Sequence, residues 1–141
     1  MTTLSRRIFE EVWNKKDLTV IDEIVAPDYL HHDPQNPNVT GGVEGYKQFV
    51  RQYQSAFPDL LMTIDEEIEA GDTVITRWTA RGIHNGDLPG LPRTGRSISV
   101  TGISVARTNH GKITESWNVW DTLGMLHQLG AIRQPTDRAA A

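Results

Sequence analysis

From the amino terminus, apolar positions first recur at helical spacing and later alternate, with the switch at Pro58. Leu4, Ile8 and Val12 repeat every fourth residue, and Phe9 and Trp13 widen the stripe, which predicts an amphipathic helix. Asn14 to Asp17 breaks the pattern. Asp17 is the expected N-cap of a short second helix through Val25, and Pro27 stops it because proline cannot continue the ladder. Tyr29 to Thr40, rich in His, Asp, Asn and Pro, reads as a loop. Gly41-Gly42 leads into a third helix that carries Tyr46, Phe49, Val50, Tyr53 and Phe57 on one face and ends at Pro58.

Beyond Pro58 the period is two. Leu60, Met62, Ile64 and Ile68 alternate with polar residues as in a half-buried strand, and Gly71-Asp72 turns the chain. Thr73 to His84 predicts a second strand, and Asn85 to Gly95 a Gly- and Pro-rich loop able to act as a lid or as an ordinary hairpin connection. Ser97 to Thr108 predicts a third strand, Asn109-His110-Gly111 a tight hairpin, and Lys112 to Trp120 a fourth strand. Leu123, Leu126 and Leu129 suggest a final short helix closed by Gly130. Helices followed by an antiparallel meander give an α+β domain. Helices on one concave face of a sheet leave a cavity unless side chains fill it, and small-molecule sites are commonly built that way.

Composition narrows the function classes. The 141 residues suit one domain, expected over 1–132 with a polar tail over 133–141. The absence of cysteine removes disulfides, thiolate metal sites and cysteine nucleophiles. The net charge of −4 comes without a basic stripe, so no nucleic-acid partner is expected. No apolar run approaches the ~20 residues that span a bilayer, and the first residues lack a signal peptide's apolar core; a cytoplasmic protein without a membrane partner is expected. Of the five histidines only His31 and His32 are close in sequence, so no metal site is expected. No serine sits in a nucleophile-elbow pattern.

The densest titratable cluster is His31-His32-Asp33. A carboxylate beside imidazoles at a pocket mouth is a candidate proton acceptor; alternatively the histidines cap loop backbone and Asp33 makes an Asx-turn before Pro34. Neighbouring residues of an extended segment point oppositely, so only one histidine is expected to face inward. Asp121, between the last strand and the last helix, is either an acid beside Trp120 or an N-cap. His84 either meets a ligand or holds the following loop. Tyr53 and Phe57 belong to the core wall of the third helix or to a pocket ceiling, and Trp78 shares the parity of His84.

The ordered set Phe57-Pro58-Asp59, Gly71-Asp72, Arg77-Trp78, Gly82-Ile83-His84-Asn85-Gly86, Pro92-Arg93-Thr94-Gly95-Arg96, Gly111-Lys112-Ile113, Glu115-Ser116-Trp117, Asp121 and Gln128-Leu129-Gly130 resembles the SnoaL-like polyketide cyclases of the nuclear transport factor 2-like superfamily. The resemblance runs from about Leu4 to Gly130. It implies a cone-shaped fold of helices packed on a curved antiparallel sheet and a homodimer packed through that sheet. It also implies intramolecular aldol chemistry without metal or cofactor. Asp33-Pro34 matches the dipeptide that holds the general base in the related ketosteroid isomerases.

Counting back from Gln128-Leu129-Gly130, the acidic residue of the cyclases falls on Asn118 and their histidine on or near Ser104. That correspondence makes Ser116, Asn118 and Trp120 the pocket face of the last strand and puts Trp117 outside; the opposite register would turn Trp117 inward. The expected function is acid/base chemistry, aldol-type cyclisation or isomerisation, on a hydrophobic oxygenated ring compound. Asp33 or Asp121 would be the carboxylate, and His32, His84 and Asn118 the donors. His31, Tyr53, Phe57, Trp78, Ser104 and Trp120 would contact the ligand. The alternatives are a non-catalytic binder of a small apolar ligand and a hydrolase- or hydroxylase-type member. Epoxide hydrolysis would need an Asp-Arg-Asp set, and Arg107 has the wrong parity relative to Ser104 to join one.

Overall fold

The computed structural model describes residues 2–133. The expected tail beyond Arg133 lies outside the described residues. The first helix is α-helical over Leu4–Arg7 (α1) and then widens into a π-helix over Ile8–Asn14. The adjacent pairs Ile8-Phe9 and Val12-Trp13 are all buried, a stripe broader than an α-helix of this length presents. The π turn accommodates it, and the helix ends with the Lys15 N–H on the Glu10 carbonyl. A second helix, α2 (Thr19–Ile24), begins where Asp17 Oδ1 accepts the backbone N–H of Thr19.

The segment that the sequence predicts as a loop is in part a strand. β1 (Val25–His32) pairs in parallel with the last strand, placing Leu30 beside Glu115, His31 beside Ser116 and His32 beside Trp117. Its register shifts between Val25 and Leu30, which spoils the period-two pattern. Pro27 is tolerated because β1 lies at the edge of the sheet.

α3 (Gly42–Ala56) follows, then β2 (Leu61–Ala70), β3 (Thr73–Ile83), β4 (Ser97–Asn109) and β5 (Lys112–Trp120), an antiparallel meander with the expected boundaries to within a residue or two, and finally α4 (Thr122–Gln128). The strand order is β1-β5-β4-β3-β2. At the β4–β5 hairpin His110 and Gly111 both adopt positive φ, 52° and 75°, as a two-residue type I′ turn requires. Gly102, in the middle of β4 and paired with Trp78 of β3, has another role: a Cβ there would lie 2.3 Å from the indole of Trp78. The missing side chain is the space the tryptophan occupies.

Helices and the inner face of the sheet enclose the core. Even-numbered residues of β3 and β4 (Val74, Thr76, Trp78, Ala80; Ile98, Val100, Ser104, Ala106) are buried. The opposite face stays open, with Ile103 and Val119 50 % and 61 % exposed. Among the described residues no helix is long and apolar enough to cross a membrane.

Candidate functional site

The helices do not fill the concavity of the sheet. A cavity of about 110 Å³ remains between them, well above the roughly 10–15 Å³ that one water needs. Its lining is mostly apolar and aromatic: Phe9 and Trp13 from the π-helix, Tyr46, Phe49 and Tyr53 from α3, Phe57 beyond it, Trp78 from β3 and Trp120 from β5. Edge-to-face contacts join these rings, with Trp13 on Phe49 at 6.1 Å and Tyr53 on Trp120 at 5.8 Å.

The polar groups cluster where β1, β5 and β4 lie side by side. Tyr29 and His31, two apart on β1, face the cavity with Asp33 just beyond the strand. Leu30 and His32 take the other face, which answers which histidine turns inward. His32 instead pairs with Glu115 at 2.6 Å and stacks on Trp117 on the outer side of the sheet. The expected donor His32 is therefore outside the cavity, and His31 is the histidine that lines it. The His31 side chain is 3 % exposed, and desolvation pushes its imidazole down to about 4, which outweighs the opposing pull of Asp33; it is neutral near pH 7.

Asp33 is the one carboxylate among the described residues that line the cavity. Its Oδ1 accepts the Gln35 backbone N–H at 3.0 Å, the Asx-turn anticipated from Pro34. Its Oδ2 accepts Asn36 Nδ2 at 2.9 Å and Trp120 Nε1 at 3.2 Å. A carboxylate has about four acceptor positions, so Oδ1 keeps one for a further proton donor. The turn and the cavity role, alternatives in the sequence, coexist here. The Tyr53 hydroxyl donates to Asn36 Oδ1 at 3.0 Å, and its burial pushes the phenol up to about 12.

Asn118 and Ser104 are cross-strand partners, and Ser104 Oγ donates to Asn118 Oδ1 at 2.7 Å. Asn118 Nδ2 donates to Ser116 Oγ at 3.2 Å and to the His32 carbonyl at 3.4 Å. Both amide hydrogens thus go to the protein, and Asn118, expected to donate to substrate, holds the strands instead. Asn118 nonetheless lines the cavity, whereas two expected catalytic residues, Asp121 and His84, stand outside it. Asp121 accepts the Gly124 N–H at 2.9 Å and caps α4. His84 is fully buried and ties down the loop that follows it: its Nδ1 accepts the Thr94 N–H at 3.1 Å, and its backbone pairs with Gly95 and Arg96.

The residues expected to touch a ligand, His31, Tyr53, Phe57, Trp78, Ser104 and Trp120, all line the cavity. Tyr29 and Ser116 do so as well, Ser116 on the strand face expected to turn inward and Tyr29 at a position for which the sequence predicts only a loop. Their signal was parity alone: Tyr29 is two before His31, and Ser116 two before Asn118. Trp117 lies outside, with the Arg107 guanidinium 5.1 Å above its ring, so the register that turns it inward does not occur.

The SnoaL-like polyketide cyclase family model matches residues 3–129. The aklanonic acid methyl ester cyclases DauD of Streptomyces sp. (strain C5) and DnrD of Streptomyces peucetius are each 32 % identical to the chain; the alignments cover 79 % and 77 % of it and 67 % and 72 % of theirs. The structure of TsrD from Streptomyces laurentii superposes with a TM-score of 0.83 at 31 % identity, covering 92 % of this chain and 93 % of that one. The nuclear transport factor 2-like fold and the ordered motifs thus converge on one assignment: the chain belongs to the SnoaL-like polyketide cyclase family.

Proposed function

We propose that the protein catalyses proton transfer next to a carbonyl in a hydrophobic, oxygenated ring compound, closing a ring by an intramolecular aldol reaction, with Asp33 as the base. The observation that carries this is the placement of Asp33: a carboxylate with a 1 % exposed side chain, on the wall of an aromatic cavity, with one acceptor position left. Oδ1 takes a proton from a carbon acidified by its neighbouring carbonyl, and the C–H electrons pass into that carbonyl as an enolate. The enolate carbon then attacks a second carbonyl of the same molecule, and the new alkoxide takes the proton back from Asp33. The product is an isomer of the substrate, so no co-reactant is needed.

The names of the curated relatives make aklanonic acid methyl ester the first compound to try. In D2O the α-position should exchange, and in H2O an isomer of unchanged mass should form. Asp33→Asn should abolish both, whereas Asp121→Ala should keep both at near wild-type rate. Undiminished exchange in Asp33→Asn overturns the assignment. A second reading, binding without turnover, is favoured by the Ser104–Asn118 pair, two uncharged groups bonded to each other where the cyclases carry titratable ones. Saturable quenching of tryptophan emission without exchange would support it.

The same proposal includes a homodimer packed through the sheet. The outer face carries Leu30, Ile103 and Val119, each at least half exposed, around the partly buried Trp117. Exposed apolar side chains grouped on a sheet face are the kind of surface a second copy covers.

A further inference from the structure

We propose that His31 is the oxyanion donor of the cavity and that a one-way chain of hydrogen bonds starting at Trp78 holds its imidazole as the Nε2–H tautomer. The donor role rests on the reading of Asp33 as the base; the tautomer does not.

The chain begins at a group that can only donate. Trp78 Nε1–H donates to Ser104 Oγ at 3.0 Å. Ser104 has a single proton, and it goes to Asn118 Oδ1 at 2.7 Å. This orients the amide. Turned over, it would aim a second N–H at Ser104, leave the Ser104 proton without an acceptor, and set its oxygen against the His32 carbonyl. As it stands, Asn118 Nδ2 donates to Ser116 Oγ at 3.2 Å. Ser116 then bonds the Tyr29 hydroxyl, and that hydroxyl bonds His31 Nδ1 at 2.8 Å.

Two arrangements of the last two protons are possible. If Nδ1 carried the hydrogen, Tyr29 would donate to Ser116. Ser116 would then accept two bonds and keep a buried proton with no partner in the chain. A bare Nε2 lone pair would also face Asp33 Oδ2 across 4.0 Å. In the other arrangement Ser116 donates to Tyr29, and Tyr29 donates to Nδ1. Every hydrogen then has an acceptor, and Nε2–H faces the carboxylate with the favourable sign. Nε2 is buried without a hydrogen-bond partner in the protein, and His31 lines the cavity. It is a pre-oriented donor next to the base, suited to the oxygen of an enolate formed there. In this scheme His31 is catalytic, and Tyr29, Ser116, Asn118, Ser104 and Trp78 are positioning residues.

The test combines a spectroscopic and a kinetic reading on the full chain. With ¹⁵N-labelled histidine, two-bond ¹H–¹⁵N correlations at neutral pH distinguish the tautomers, and His31→Gln identifies the resonances. The expected wild-type pattern is a protonated Nε2 and a bare Nδ1, with Tyr29→Phe giving a mixture. An Nδ1–H pattern in the wild type overturns the proposal without recourse to any variant. Kinetically, His31→Phe should slow α-proton exchange by on the order of 10²–10³, as loss of an oxyanion donor does, with partial rescue in His31→Gln, which keeps an N–H. Full-rate exchange in His31→Phe overturns the donor role. If Asp33→Asn exchanges normally while the Nε2–H pattern holds, the base assignment falls and the directed chain stands.

Discussion

Replacing Gly102 by alanine would drive a methyl group into the face of Trp78. The new Cβ would lie 2.3 Å from Cζ2 and 2.7 Å from Cε2 and Cη2 of the indole. Apolar carbons rest about 3.5–4.0 Å apart, so the ring must retreat by about 1 Å or more. It is 7 % exposed with the Phe9 ring 6.3 Å away, so the retreat must go into the cavity that it lines. The retreat also stretches the 3.0 Å bond from Nε1 to Ser104 past its useful range. Overpacking costs about 1–3 kcal/mol and the lost bond about 1, while removing a mid-strand glycine returns about 0.5–1, a net loss of about 1–3.5 kcal/mol. For a chain of this size that lowers Tm by roughly 3–12 °C. Thermal melts followed by circular dichroism and tryptophan emission measure it, and Gly102→Ala repeated in a Trp78→Leu background should cost far less. Equal losses in the two backgrounds would refute the argument, because the penalty would then not come from the indole.

Two further outcomes follow from the geometry. The His31 imidazole, held at about 4 in the folded chain against an ordinary 6.5, favours the folded state fully above pH 6.5, and this contribution is lost as the pH falls from 6.5 toward 4. The groups around it are Tyr29, Asp33 and the neighbouring His32, with Tyr46 facing it from α3. Urea melts at pH 7.5 and 4.5 should show the wild type losing about 2–3 kcal/mol more than His31→Gln, and identical losses would contradict the buried neutral imidazole. On the outer face, Val119→Lys should shift a dimer to monomer in sedimentation while leaving ligand-induced quenching intact; a monomeric wild type would remove the sheet-face interface.

The meander and α3 were legible because their periods are regular and their ends carry Pro58, Gly71 and Gly111. β1 was not, since parallel pairing with a strand more than eighty residues away leaves no local signature, and its shifted register and Pro27 hide the alternation. The π turn was hidden for a related reason: four-residue spacing fits α- and π-geometry about equally until burial shows how wide the stripe is. At the site, parity separated His31 from His32, but which of them faced inward depended on the twin register with β5. Asp33 was visible as a residue type in a cluster, whereas the chain through Tyr29 and Ser116 is assembled from four strands and exists only in the fold.

β1 adds a consequence for how such a protein diversifies. The groups proposed for the chemistry, His31 and Asp33, with Tyr29 that positions one of them, occupy one short stretch on and just beyond an edge strand, while the tryptophans and the meander that shape the cavity lie elsewhere in the chain. Reactivity and shape are therefore encoded largely in different segments, joined where Ser116 meets Tyr29. Exchanging residues 29–36 alone would rewrite the proton-handling groups while leaving the container that selects the ligand, so a new reaction on an old substrate is only a short segment away.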